Sequence, residues 1–141
     1  MEKVKAHRRD IQFFSRKNDM LYVVHTDIVE RYAKYLEGDQ SVKAYSPCVP
    51  LSTEKVSEVN PLDIRAEYLA KSMWETDFLI EHMNGTQAVR EVACVDDFKK
   101  RAVVEQLELS RRYWAAQGID DWKIVIFRKS GREKEGADYV L

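Results

Sequence analysis

Hydrophobic and polar positions alternate along this chain in blocks that predict strands and helices in turn. Ile11–Phe14 and Met20–Val24 are short apolar runs around a polar Arg16-Lys-Asn-Asp19 turn, a first hairpin. Thr26 or Asp27 then caps a helix, with Ile28, Tyr32, Tyr35 and Leu36 at helical spacing and Gly38 as its stop. Tyr32 and Tyr35 are expected in the core. Val42 to Leu51 is extended, since Pro47 and Pro50 forbid helix, and Ser52 to Pro61 has the polarity of a surface loop. Leu62 to Ala70 fits either a short helix or a strand, and Trp74 is expected to pack. From Glu75 to Ala93 a second hairpin is predicted, with Phe78-Leu79-Ile80 on one strand, Asn84-Gly85 in the turn, and Ala88-Val89 and Val92-Ala93 on the other. Asp96 or Asp97 caps the longest helix, Phe98 to Gln117, whose stripe is Phe98, Ala102, Leu109, Tyr113 and Ala116. Gly118 ends it, and Trp122–Phe127 is a nearly continuous apolar strand, buried on both faces. The order predicts an α/β fold, a central mixed β-sheet flanked by helices, with a crossover returning the last strand beside the second hairpin.

That second hairpin carries the candidate chemistry. Asp77 begins one strand and Glu91 nearly ends the other, and a divalent cation is bound by carboxylates that converge in this way. Register decides whether they converge. A two-residue turn at Asn84-Gly85 pairs Asp77 with Val92 and sends the carboxylates to opposite faces. A three-residue turn or a bulge brings both to one face. The same pattern also suits a solvated hairpin with ordinary surface acids.

Composition changes this picture little. The 141 residues suffice for one domain with one core, and 45% hydrophobic with 33% charged residues is a globular balance. No apolar run approaches a membrane span and no secretory signal is visible, so the expected location is cytoplasmic. Cys48 and Cys94 have no CxxC spacing and give no signal for a disulfide framework or a zinc site. Net charge is −1, yet a basic arm at residues 1–10 continues to Arg16 and Lys17, and Arg8 and Arg9 with them suit phosphates or simply a solvated terminus. Residues 130–141 read as a charged tail.

The stretch EQLELSRRYW (105–114), followed by QGIDDWKIV (117–125), resembles the N-terminal catalytic domain of the TnsA family. These are transposon-end endonucleases with a restriction-endonuclease-like PD-(D/E)XK fold. The likeness extends to Thr76-Asp77-Phe78-Leu79 and, more weakly, across Ser15 to Val42. The family's C-terminal helical domain has no counterpart here, so the nuclease module alone is expected. The resemblance implies a metal-dependent DNA endonuclease or nickase encoded by a mobile genetic element, using Mg²⁺ with Mn²⁺ as a substitute. Its partners would be DNA, a transposase or other mobile-element proteins, and a second copy of the chain as a homodimer. The family's metal-binding Asp falls on Asp77 and its next acid on Glu91. The Lys two residues later is replaced by Ala93, for which Lys99 or Lys100 is a candidate substitute reaching back from the following helix. The helix-borne Glu falls on Val29 in an ungapped match and on Glu30 if the match slips by one. Arg111 and Arg112 are further candidates for DNA contact, or for favourable charge at a helix C-terminus. The alternative is a catalytically degenerate nuclease fold serving as a DNA-binding or protein-interaction subunit.

Overall fold

Residues 10–70 and 74–128, with the backbone of 139–140, are described by a computed structural model. The first hairpin is β1 (Ile11–Ser15) and β2 (Met20–Val24), antiparallel, with Ile11 opposite Val24. Helix α1 (Asp27–Gly38) starts where Thr26 Oγ1 accepts the Val29 N–H at 3.3 Å, and it buries Ile28, Val29, Tyr32, Ala33 and Leu36. Tyr35 departs from its expected place: it is 57% exposed and stacks on Tyr32 from outside. One residue on from the stripe's edge is enough to turn a ring out to solvent.

Strands β3 (Val42–Pro50), β4 (Glu75–His82), β5 (Gln87–Cys94) and β6 (Asp121–Phe127) follow in sheet order, with the short β7 (Tyr139–Val140) on the outside of β6. The β3–β4 and β4–β5 pairs are antiparallel, whereas β5–β6 is parallel, as a crossover requires. The sheet is therefore mixed, and the fold is α/β.

Adjacent residues of β5 serve opposite faces. Ala88 joins the core beneath α1, with Val24, Leu36, Phe78, Ile80 and Phe127. Val89 joins a second core with Leu109, Tyr113 and Trp114 of α4 (Arg101–Ala116). Burying one such side chain as large as Phe78 stabilises by about 1.5–3 kcal/mol.

The second core corrects the expectation of a plain surface loop at Ser52 to Pro61. Ser52 caps a single turn, α2 (Thr53–Val56), and both Val56 and Val59 are buried. The ambiguous stretch after it contributes a short helix, α3 (Ala66–Ala70).

The longest helix also begins later than its acids suggest. Asp97 accepts the Cys94 N–H at 2.9 Å, which closes a separate 3-10 turn over Val95–Lys99, and α4 starts beyond it without a side-chain cap. Gly118 ends α4 with φ +88°, a conformation that costs glycine little.

The β1–β2 hairpin is tied to β3 by polar groups. The Asn18 side chain both accepts from the Tyr45 N–H (3.1 Å) and donates to its carbonyl (2.7 Å), while Tyr22 Oη donates to the same carbonyl. No helix among the described residues is long and apolar enough to cross a membrane.

Candidate functional site

The turn of the second hairpin contains three residues. His82 N–H donates to the Thr86 carbonyl (2.9 Å) and Gly85 N–H to the His82 carbonyl (3.0 Å), leaving Met83, Asn84 and Gly85 in the loop. Gly85 sits at φ +90°, and Asn84 Oδ1 accepts both the N–H and the hydroxyl of Thr86. This register continues through Leu79↔Val89 and Phe78↔Arg90. One step further, Asp77 lies across from Glu91 on one face.

There the side chains replace the ladder. Asp77 N–H donates to Glu91 Oε1 (3.0 Å), and Val92 N–H donates to Asp77 Oδ2 (2.7 Å). Glu91 is 5% exposed, and Ser110 on α4 donates to its other oxygen. Ser110 in turn accepts from Trp122 Nε1 (3.0 Å), and Trp114 Nε1 donates to Thr76 Oγ1 (2.7 Å) beside it. Burial raises the Asp77 carboxyl well above its usual value, and the neighbouring Glu91 charge raises it further. Burial also raises Glu91, against the lowering effect of its bonds from Ser110 and the Asp77 N–H. Two carboxyls so placed either hold a proton between them or bind a cation.

Asp77 opens onto a cleft of about 490 Å³, bounded by His25 and Val29 at the start of α1, Cys48 of β3, Glu75 of β4 and Gln106 of α4. Cys48 has φ +55°, unusual for a residue with a side chain and worth about 1–3 kcal/mol of strain. The β3–β4 ladder runs through Pro47↔Phe78 and Val49↔Thr76 but omits the Cys48–Asp77 pair between them. A ring nitrogen of His25, the Cys48 sulfur and a carboxylate oxygen of Glu75 lie within 4.8 Å of one another.

The other candidates named from the sequence lie elsewhere. Val29, buried, takes the position on the cleft wall, while Glu30 pairs with Lys34 one turn along α1 (3.5 Å). Lys99 and Lys100 are exposed and pair with Asp96 and Asp97 at 3.7 and 3.9 Å, so neither lysine turns back to the Asp77 carboxylate. Ala93 is buried opposite Ile126.

Arg16 is exposed, whereas Lys17 spends its ammonium on the carbonyls of Asp39 and Val42. Arg111 and Arg112 both bind Glu108, and Arg112 also donates to the carbonyls of Asn60 and Leu62. Arg8 and Arg9 lie outside the described residues, as does the 130–141 tail except for Tyr139–Val140, which form β7 rather than continuing a tail.

Sequence reasoning missed Ser110, whose one signal was a hydroxyl beside the Leu109–Tyr113 stripe. It also missed the His25, Cys48 and Glu75 meeting, which no local spacing announces. Set beside known proteins, the chain matches no family model and no curated sequence.

Proposed function

We propose that this protein is a metal-dependent DNA endonuclease or nickase acting at Asp77. The observation that carries the reading is the three-residue turn, which sets Glu91 against Asp77, a residue that lines a cleft. The donor set fits Mg²⁺. That ion takes one or two carboxylates and fills its remaining positions with water and substrate phosphate. Asp77 is the residue that reaches the cleft, and its Oδ2 is steadied by the Val92 N–H. Glu91 lies behind it as a second negative group, held by Ser110 and the Asp77 N–H. A bound Mg²⁺ supplies Lewis-acid polarisation of a phosphodiester and a more acidic water. The resemblance to TnsA-type nucleases in the 105–125 stretch supports the same chemistry, since Ser110, Trp114 and Trp122 from that stretch all bond to the hairpin or to its carboxylate partner.

Without a lysine at 93, turnover should be about 10²- to 10³-fold below that of a complete site. One such site cuts one strand at a time, so a double-strand break takes a second copy, a partner nuclease or two sequential cuts. DNA, mobile-element proteins such as a transposase, and a cytoplasmic setting belong to this proposal.

A second reading, a degenerate nuclease fold kept for binding, is favoured by Val29 on the cleft wall and by the pairing of Lys99 and Lys100 with their own acids. Supercoiled plasmid incubated with the protein and Mg²⁺ or Mn²⁺ separates the two. Nicking that is lost with EDTA and in Asp77→Asn establishes the nuclease. Intact plasmid together with no calorimetric Mn²⁺ binding rejects it in favour of the binding fold.

A further inference from the structure

We propose that His25, Cys48 and Glu75, which line the cleft, form a binding site for a transition-metal ion of the Zn²⁺ class. The site is distinct from the Asp77–Glu91 pair and does not depend on the nuclease reading.

Three independent chain segments deliver the three donors. His25 immediately precedes the Thr26 cap of α1, Cys48 lies in β3, and Glu75 opens β4 opposite Pro50. Their donor atoms lie within 4.8 Å of one another. Tetrahedral zinc, with bonds of roughly 2.0–2.3 Å, needs donors roughly 3.3–3.8 Å apart. Glu75 is exposed and supplies the remaining movement by side-chain rotation.

The donor types decide the metal. Imidazole, thiolate and one carboxylate suit Zn²⁺ and its neighbours, whereas Mg²⁺ and Ca²⁺ take oxygen.

A second feature of metal-binding histidines is present as well. His25 Nδ1 stands 3.0 Å from Asp10 Oδ1, which orients the ring and leaves Nε2 as the nitrogen available to an ion. The left-handed backbone at Cys48 contributes too. It takes residue 48 out of the β3–β4 ladder, at the place where its sulfur joins His25 and Glu75. Binding releases the thiol proton to solvent, leaving the thiolate as ligand. Three protein ligands leave a fourth position, which the cleft fills with water or a substrate atom.

The test titrates the full chain with Co²⁺, whose spectrum reports its ligands, and with Zn²⁺ in competition. Thiolate-to-cobalt charge-transfer absorption in the near ultraviolet is expected, saturating at one ion per chain whatever else binds, and Zn²⁺ displaces it. Cys48→Ser abolishes that absorption, and His25→Ala weakens binding. Asp10→Asn, a positioning change, weakens it about 10-fold. Cys94→Ser and Asp77→Asn leave the absorption unchanged.

Alkylation of the folded wild-type protein covers the case in which Cys48→Ser does not fold. Zn²⁺ should protect Cys48 from iodoacetamide and leave Cys94 at its metal-free rate. No charge-transfer absorption, absorption that follows Cys94, or Cys48 alkylation indifferent to Zn²⁺ overturns the site. None of these readouts involves DNA, so plasmid nicking can fail while the metal site stands, and the reverse.

Discussion

Two carboxyls that meet beside a cleft, one of them buried, resist carrying two charges, and the fold bears that cost at Asp77 and Glu91. Burial comes first in raising Asp77, and the facing Glu91 adds to it. A carboxyl whose folded pKa exceeds its unfolded value costs stability above the folded pKa and nothing below the unfolded one. Asp77→Asn keeps an oxygen for the Val92 N–H and adds an N–H for Glu91, so it should stabilise the protein. We expect a gain of about 1 kcal/mol, roughly 3–4 °C in melting temperature near pH 8. The gain should shrink towards zero as the solution is acidified to about pH 4. Thermal melts of both proteins across that range decide it, and a variant no more stable than the wild type at pH 8 refutes the account. The convergence of the two acids was legible in the sequence only as one of two registers, because strand periodicity is strict but the length of the turn was open. Cys48 was not, because its neighbours His25 and Glu75 are distant in the chain and its left-handed φ leaves no mark on composition.

At the level of elements, the β4–β5 turn does more than reverse the chain. Its length selects which side chains of β4 and β5 share a face. Replacing Met83-Asn84-Gly85 by Asn-Gly shortens the turn by one residue and forces a choice. Either the ladder slips and Phe78 and Ile80 leave the α1 core, or the strands bulge to retain it. Denaturant unfolding should show a loss of about 3 kcal/mol or more, and Mn²⁺ calorimetry a loss of any binding at Asp77. Unchanged stability would mean that a bulge absorbs the deletion. The hairpins and α1 were readable from pattern and capping because local signals and packing agree there. The start of α4 was misread because Asp97 is a genuine cap serving a different turn. The Ser52–Pro61 stretch was misread because two valines spaced among polar residues carry no periodic signal, although both are buried against α4.

Across the whole molecule, Glu37 joins parts that the sheet does not. Its carboxylate accepts from Ser15 of β1, Tyr45 of β3 and the Lys17 N–H, so the last turn of α1 holds the first hairpin to the sheet edge. Burial works to raise this carboxyl, but those hydrogen bonds outweigh it and the net shift is downward. The stability it contributes is therefore complete above its unfolded pKa of about 4.3 and is lost as pH falls through the lower folded value. Hydrogen exchange should show β1 and β2 losing protection below about pH 4, ahead of β4 and β5, and Glu37→Gln should remove that difference. Equal loss across all four strands would dismiss the tie. The polar seam beside it has a further effect. The β3–β4 register turns the backbone groups of Tyr45 and Pro47 away from β4, out along the rim of the sheet. At Tyr45 the Asn18 amide already supplies the donor and acceptor that an incoming strand would bring, and Pro47 has no N–H to offer. This rim cannot template another chain, so the sheet is protected there against edge-to-edge aggregation and domain swapping.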